Sequence, residues 1–277
     1  MHSDALSRTW IGTDRTLGIL SGSTVRDVPL PWPRSRPFAL LEEAAGRICV
    51  SSVEGAFCRK GSGWTPEPRL ATPGILPTQM LRDAAGRVWI AEGRRIEMVD
   101  GNTRRIFSAR DDLALGTVVV IAVRGRHVYA GGDFGLARFV GRRFATLGSD
   151  VHPFLSRTAG IVETSEGDLW LNTVAGVVKI GSADLDDAFA HTGRPVKARL
   201  FDRDDGMPGV AQQDSQSQTA MEASDGRLWF VTRLGVAWID PKRLSFNSLP
   251  PPVIIKSLVS GGHIHAAATP IQLPGGT

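Results

Sequence analysis

The sequence predicts an all-β fold built from repeated four-stranded sheets, and two observations support this prediction. One short motif recurs along the chain, as in "GRVWIAE", "GDLWLNT" and "GRLWFVT". The motif is centred on an aromatic residue or its equivalent, at Trp10, Cys49, Trp89, Tyr129, Trp170 and Trp229. The intervals between these positions are 39, 40, 40, 41 and 59 residues. A period near 40 residues indicates a repeat architecture.

Each repeat contains the signals of four short strands. A β-rich run, such as "VVVIAV", is followed by a turn with glycine, such as Ala85-Gly86 or Asp225-Gly226, and then by the motif strand. A third strand starts at glycine, as in "GLARFV", and several repeats add a more polar run such as "TRRIFSA". The repeats lack a 3.6-residue apolar period, which argues against a helical solenoid. About six blades of a β-propeller are therefore expected.

The ends of the repeat array set the predicted domain boundaries. The segment before Trp10 supplies a turn and a motif strand but no preceding inner strand, so the first blade is expected to be incomplete. We predict the propeller over residues 1–250 and a linker with the start of another domain over 251–277.

The repeated aromatic residue is interpreted as structural. A ring at the same mid-strand position of every blade fills the space between neighbouring sheets, and this explains it better than stacking on a ligand. Cys49 is the exception, so blade 2 should be underpacked there or compensated. Cys49 and Cys58 face each other if 53–55 forms a hairpin turn, which allows a disulfide. Two small buried hydrophobic thiols are the favoured alternative.

Composition excludes several classes of function. The net charge is +4 with scattered arginines, so no nucleic-acid partner is expected, and a solvated surface is favoured over a surface for acidic ligands. No apolar run is long enough to cross a membrane, and the N-terminus does not resemble a signal peptide. Motifs of metalloproteases, serine hydrolases and phosphate-binding loops are absent. We therefore predict no catalytic residues, no metal site and no cofactor.

The wide last interval predicts one or two helical turns around Leu185, Ala188 and Phe189. The acidic residues before and among them are better explained by a favourable interaction with the positive N-terminal end of the helix dipole than by binding of a cation. The segment "DRDDG" from Asp202 lacks the spacing of a calcium-binding EF-hand loop. His263 and His265 alternate as metal ligands would, but a disordered tail is the favoured interpretation.

The stretch "VAQQDSQSQTA" from Val210 is the candidate ligand site. It leads into the inner strand of the last blade, and such connections surround one end of a propeller channel. Amides and a carboxylate there suit sugar hydroxyls or another small molecule, although an ordinary polar loop is the simpler explanation. The candidate residues are Gln212, Gln213, Asp214 and Gln216.

These motifs resemble those of one known family. The repeated Asp-Gly-x-Leu-Trp pattern, the linker "RLFDRDDGMPG" and the ending "GVAWIDPKRL" are similar to the two-component regulator propeller repeats, whereas the WD40 signature is absent. The segment "PPPVIIKSL" resembles the start of a triple-tyrosine domain, an immunoglobulin-like module. The resemblance implies a seven-bladed parent and a periplasmic sensor region of a histidine kinase. It also implies a non-catalytic ligand sensor, of which this chain is a fragment.

Three alternatives remain open. The first is a lyase-type propeller enzyme that uses a metal. His127 lies at a predicted turn and His152 in a loop, and no histidine lies in a predicted inner strand, so loss of metal-dependent turnover in His152→Ala is the test of this alternative. The second is a propeller sensor of a diguanylate cyclase, and the third is a plain protein-interaction scaffold. An open ring also exposes strand edges, so we expect dimerisation or aggregation through the first blade.

Overall fold

The computed structural model describes residues 2–13, 16–32, 36–44, 46–71, 76–213, 217–244, 257–260 and 263–266 of the 277-residue chain. The chain divides into two compact units, Met1–Pro241 and Lys242–Thr277. The first unit contains six antiparallel sheets that follow one another along the sequence as the blades of a β-propeller.

Blades 1 to 3 each contain four strands. They are β1 (His2–Ser3), β2 (Thr9–Gly12), β3 (Leu17–Ser21), β4 (Thr24–Val28), β5 (Leu40–Ala44), β6 (Arg47–Ser52), β7 (Gly55–Lys60), β8 (Gly63–Pro66), β9 (Gln79–Arg82), β10 (Val88–Glu92), β11 (Arg95–Asp100) and β12 (Thr103–Phe107).

Blades 4 and 5 also contain four strands each, and blade 6 has three among the described residues. They are β13 (Val118–Arg124), β14 (His127–Gly132), β15 (Gly135–Phe139), β16 (Phe144–Gly148), β17 (Gly160–Glu163), β18 (Leu169–Asn172), β19 (Val177–Ile180), β20 (Ala198–Phe201), β21 (Ala220–Glu222), β22 (Leu228–Thr232) and β23 (Gly235–Ile239).

Within every blade the strands pair with their neighbours in sequence order. The first strand of a blade contacts the first strand of the next, through the pairs β5–β9, β9–β13, β13–β17 and β17–β21. The first strands are therefore the innermost ones. The all-β propeller predicted from the 40-residue period is confirmed. The first blade does have an inner strand, β1, but this strand is only two residues long.

The turn between the first and second strands of a blade contains a residue with left-handed backbone conformation, as blades 3 and 1 illustrate. Gly86 has a φ of 86°, and Ser7 occupies the same place in blade 1 with a φ of 58°. Glycine adopts this conformation without steric cost, whereas serine does so at some cost in strain. The turn geometry is therefore retained where the sequence lacks the glycine.

The repeated aromatic residue packs between blades, as predicted. Trp89 is fully buried and lies 4.8 Å from Phe139 and 6.2 Å from Phe144, ring centroid to ring centroid, and both rings belong to blade 4. Tyr129 and Trp170 are buried to the same degree. Trp229 is only half-buried, because it lies on the last described blade of the array.

The interpretation of Cys49 and Cys58 as reduced thiols was wrong, because the two residues form a disulfide. The turn after Ser52 sets the register of β6 and β7 so that Cys49 lies directly opposite Cys58. Both residues are buried among Leu41, Ala56 and Met80. The bridge thus compensates in blade 2 for the missing aromatic ring.

The predicted helical turns are present as α1 (Ser182–Ala190), which connects β19 to β20. Leu185, Ala188 and Phe189 are buried against the outer strand β16 and its surroundings. Two of the acidic residues have side-chain partners: Asp186 lies 2.7 Å from the guanidinium group of Arg138, and Asp187 lies 2.9 Å from Nδ1 of His191. The helix is thus a packing element that ties blade 4 to blade 5.

The second unit contains an antiparallel hairpin, β24 (Ser257–Ser260) and β25 (His263–Ala266). The expectation of a disordered tail around His263 and His265 was therefore wrong, because backbone pairing fixes both residues in β25. No helix among the described residues is long and apolar enough to cross a membrane.

Candidate functional site

The antiparallel order of the strands collects two kinds of loop on one face of the propeller, which we call the connection face. A first strand begins at the end where the second strand finishes, so inter-blade connections and the turns between second and third strands share this face. Among the described residues of blades 3 to 6, these segments are 93–94, 108–117, 133–134, 149–159, 173–176, 202–213 and 233–234.

The described residues of the polar stretch predicted as a ligand site lie on this face, and the side-chain amide of Gln213 is already engaged. Gln213 accepts a hydrogen bond from Nε of Arg157 at 3.2 Å and donates to the carbonyl oxygen of Arg157 at 3.3 Å. The backbone N–H of Gln212 donates to the carbonyl of Val231 at 3.2 Å. Asp214 and Gln216 lie outside the described residues. The structure thus brings Gln213 together with Arg157, which the sequence did not indicate.

Arg157 has an unusual backbone conformation for a non-glycine residue, with a φ of 49°. Its N–H donates to the carbonyl of Asp133 at 3.1 Å, which anchors the loop to the neighbouring blade. Strained residues held by their surroundings are frequent at functional sites. The pair formed by Arg157 and Gln213 places an exposed guanidinium group beside an amide where blades 4, 5 and 6 meet, which makes it a candidate binding position.

Gln218 has a structural role in the same stretch. Its side-chain amide donates to the carbonyl of Ile161 at 2.8 Å and accepts from the N–H of Ile161 at 2.9 Å. Gln79 pairs in the same way with the backbone of Val119 and Ile121. A glutamine at the start of an inner strand thus ties the central strands of adjacent blades together.

Two depressions open on the connection face. The smaller has a volume of about 230 Å³ and is lined by Ala175, Gly176, Asp202, Arg203, Asp204, Gly209 and Val210. Its acidic residues form a turn in which the N–H of Asp204 donates to Asp202 at 2.9 Å. This depression adjoins the start of the predicted polar stretch.

The larger depression, which we call the arginine groove, has a volume of about 400 Å³. It is lined by Arg94, Ser108, Ala109, Arg110, Leu113, Ala114, Gly116 and Phe134. Arg94 and Phe134 come from the turns of blades 3 and 4, and the rest come from the connection between these blades. Sequence reasoning missed this groove. The available signal was an aromatic residue in the tight turn "GGDFGL", where no core position exists.

The two histidines considered for an enzyme are not brought together. His127 begins β14 on the opposite face, where its Nδ1 lies 2.8 Å from a carboxylate oxygen of Glu163 at the end of the inner strand β17. His152 lies in the connection after blade 4 and is only 1% exposed. Burial lowers the pKa of His152 and thus favours its neutral form, although the Thr192 backbone and Asp150 act in the other direction.

Known structures with this fold include extracellular domains of two-component systems and a lyase. The chain is similar to the extracellular domain of a protein assigned to a hybrid two-component system of B. thetaiotaomicron, with a TM-score of 0.73 at 16% identity over 98% of this chain. It spans 37% of the length of that domain. A streptogramin B lyase matches 86% of this chain and 76% of its own length, with a TM-score of 0.62 at 13% identity.

A second extracellular domain of a B. thetaiotaomicron hybrid two-component system matches 86% of this chain, with a TM-score of 0.58 at 13% identity. The chain spans 37% of that domain as well. No protein-family model and no curated protein matches the chain. At these identities the likeness establishes the β-propeller fold, and the function has to be argued from the site.

Proposed function

We propose that this chain is a non-catalytic, ligand-sensing β-propeller from the periplasmic part of a bacterial two-component sensor. The observation that supports this proposal is the likeness to the extracellular domain of a hybrid two-component system across 98% of this chain. Because the chain spans only 37% of that domain, the proposal concerns a part of a longer protein. A downstream triple-tyrosine domain and a histidine kinase would then follow.

The connection face provides the surface on which a ligand would act. Arg157 and Gln213 join loops of different blades, so a small molecule or carbohydrate bound there contacts several blades at once. A ligand shifts a conformational equilibrium only through its different affinity for the two states. Loops anchored on separate blades supply such a difference, because movement of one blade alters the spacing of the binding groups.

The first test is to read the coding DNA on both sides of this segment. We expect in-frame sequence for a signal peptide upstream, and for a transmembrane helix with a kinase domain downstream. A cyclase domain in place of the kinase would support the diguanylate cyclase alternative. Start and stop signals that enclose the segment would contradict the sensor proposal and leave a free-standing binding protein.

The second test is a thermal-shift screen of small molecules and sugars against the purified chain. Selective binding to the folded state must raise the melting temperature, by an amount that grows with ligand concentration. Gln213→Ala should reduce the shift caused by a ligand that binds beside Arg157. A screen without any stabilising compound would favour the interaction-scaffold alternative.

The enzyme alternative keeps one specific observation in its favour. His127 and Glu163 form a close pair at the end of an inner strand, and a lyase shares the fold. Tests for metal-dependent turnover should compare His127→Ala and His152→Ala with the unaltered chain. Turnover that depends on either histidine would replace the sensor proposal with an enzymatic one.

A further inference from the structure

We propose that the arginine groove binds an organic anion that carries a ring. Its acidic group would contact Arg94 and Arg110, and its ring would lie on Phe134. This inference rests on the proposed sensor function. It adds the chemical class of the ligand and a second site, which is separate from the polar stretch that begins at Val210.

The first argument is that both guanidinium groups are available. Arg94 and Arg110 are exposed, and neither lies within ion-pair distance of a carboxylate among the residues that the structure describes. The adjacent Arg95 shows the contrast, because it lies 3.0 Å from the buried carboxylate of Glu92. Arginine presents its donors in a planar fork that matches carboxylate, sulfate and phosphate groups.

The acidic residues around the groove are already occupied by other donors. The closest contacts are Ser108 N–H to Asp111 at 3.1 Å, Arg143 to Asp112 at 2.5 Å, and Thr117 N–H to Asp133 at 2.9 Å. These carboxylates therefore do not compete fully for the two free arginines. A bound anion would be the first strong acceptor for both guanidinium groups.

The second argument is the position of Phe134. Phe134 is 55% exposed. A large apolar side chain in this turn has no core position to fill, so core packing does not explain it. The turn is fixed by the N–H of Phe134, which donates to the carbonyl of Leu115 at 3.0 Å, and by the carbonyl of Phe134, which accepts from Ser149 at 2.8 Å. The ring is thus an exposed flat surface on a well-anchored loop.

Gly116 shows that the loop is shaped around this ring. A Cβ atom at Gly116 would lie 2.9 Å from Cε2 of Phe134, so any larger residue would displace the ring. Gly116 also has a φ of 68°, which disfavours other residues. The buried Leu113 completes an apolar floor beside the two arginines. An apolar surface with a few convergent polar groups is the usual composition of a small-molecule site.

The probe for this inference is 4-fluorobenzoate, followed by fluorine NMR during titration of the full chain. The matched controls are 4-fluorobenzamide, which has the ring without the charge, and sulfate, which has the charge without the ring. We expect 4-fluorobenzoate to bind at least about tenfold more tightly than either control, as the loss of a charged hydrogen bond or of a stacking surface implies.

The variant for this test carries Arg94→Gln and Arg110→Gln together, and Arg203→Gln serves as the control on the same face. Both changes affect exposed side chains, so the melting temperature of each variant should match that of the unaltered chain. The double variant should bind 4-fluorobenzoate about tenfold more weakly. The Arg203→Gln chain should bind it unchanged, and Phe134→Ala should also weaken binding.

Equal binding to the double variant would overturn the inference, and so would equal binding of the amide or no detectable binding of 4-fluorobenzoate. The sensor proposal has its own readout in the thermal-shift screen. A compound that stabilises the double variant as well as the unaltered chain, but not the Gln213→Ala chain, would leave the sensor proposal standing and remove the arginine groove from it.

Discussion

Asp83 accepts the indole N–H of Trp89 at 2.8 Å, and Asp4 accepts that of Trp10 at the same distance two blades earlier. Each carboxylate also accepts the guanidinium Nε–H of the arginine four residues later at 2.7 Å, together with two backbone N–H groups of its own turn. One buried carboxylate therefore joins the turn, the arginine and the ring of the repeat.

The substitution Asp83→Asn should destabilise the propeller. The carboxylate is almost completely buried and bonds to four donors, so replacing it leaves charged and neutral donors poorly satisfied. We expect a loss of about 2 kcal/mol in the free energy of unfolding, measured by urea denaturation.

Asp225→Asn provides the matched control in the corresponding turn of blade 6, because the Asp225 side chain is 54% exposed. This change should cost less than about 0.5 kcal/mol. Equal losses from the two substitutions would show that the buried network does not stabilise the blade.

Acid should destabilise the fold through the same carboxylates. Burial alone would raise the pKa of Asp4, but hydrogen bonds from Trp10 and Arg8 outweigh it and lower the pKa to about 2. The same holds for Asp83: burial alone would raise its pKa, but hydrogen bonds outweigh burial and lower the pKa. Because the unfolded chain binds protons more readily, this stabilisation is complete above the ordinary carboxyl pKa of about 3.9 and is lost as the pH falls towards 2.

Urea denaturation between pH 7 and pH 2.5 should show this loss. An Asp4→Asn chain should be less stable at neutral pH and should lose less stability on acidification. If both chains lose the same amount of stability as the pH falls, the hydrogen bonds of Asp4 are not the source of the acid sensitivity.

The disulfide between Cys49 and Cys58 should contribute to the stability of blade 2. Replacing both cysteines with serine removes the bridge and places two hydroxyls among apolar side chains. We expect a loss of at least about 2 kcal/mol, seen as a lower melting temperature. A reductant should lower the melting temperature of the unaltered chain but not that of the double serine variant. Two reactive thiols in the native, unreduced chain would contradict the bridge.

The repeated aromatic position should differ in energy between interior and terminal blades. Trp89→Ala removes a fully buried ring that contacts the next blade, and such a change costs about 3–5 kcal/mol. Trp229→Ala changes the same motif position where the ring is half-buried, so its cost should be clearly smaller. Equal costs in denaturant unfolding would argue against packing between blades as the role of the ring.

Self-association is expected from exposed apolar side chains at both ends of the blade array. Val25 on blade 1 is 50% exposed and Trp238 on blade 6 is 50% exposed. Large exposed apolar patches promote association. Light scattering should therefore detect dimers or larger species, and Val25→Glu or Trp238→Glu should reduce them. A monodisperse monomer at high concentration would refute this expectation.

The sequence predicted the strands better than it predicted the contacts of their polar side chains. The cysteine pair shows why. The hairpin register that places Cys49 opposite Cys58 could be foreseen, but the choice between two thiols and a bridge depends on how closely the side chains approach. Likewise, the sequence shows that "QQDSQSQ" is polar. It does not show that the side chain of Gln218 bonds to the backbone of Ile161, because this depends on where β17 lies in the neighbouring blade.

Blade 5 shows a second limit of sequence reasoning. Thr164 stands where Asp83 stands in blade 3, and the acidic residue has moved to Asp168, which lies 2.7 Å from Lys179 on the next strand. The Lys179 ammonium lies 5.5 Å from the centroid of the Trp170 ring. The repeat thus preserves a cation near the ring with different residues, which an alignment of the motif alone does not reveal.

The sequence by itself determined the fold, because the 40-residue period, the turn residues and the strand patterns are local properties that every blade repeats. The tertiary structure decided which side chains line the arginine groove. Arg94, Arg110 and Phe134 are separated along the chain and meet only because loops of adjacent blades share one face. Which charges remain unpaired depends on neighbours from other blades, and sequence spacing does not encode those neighbours.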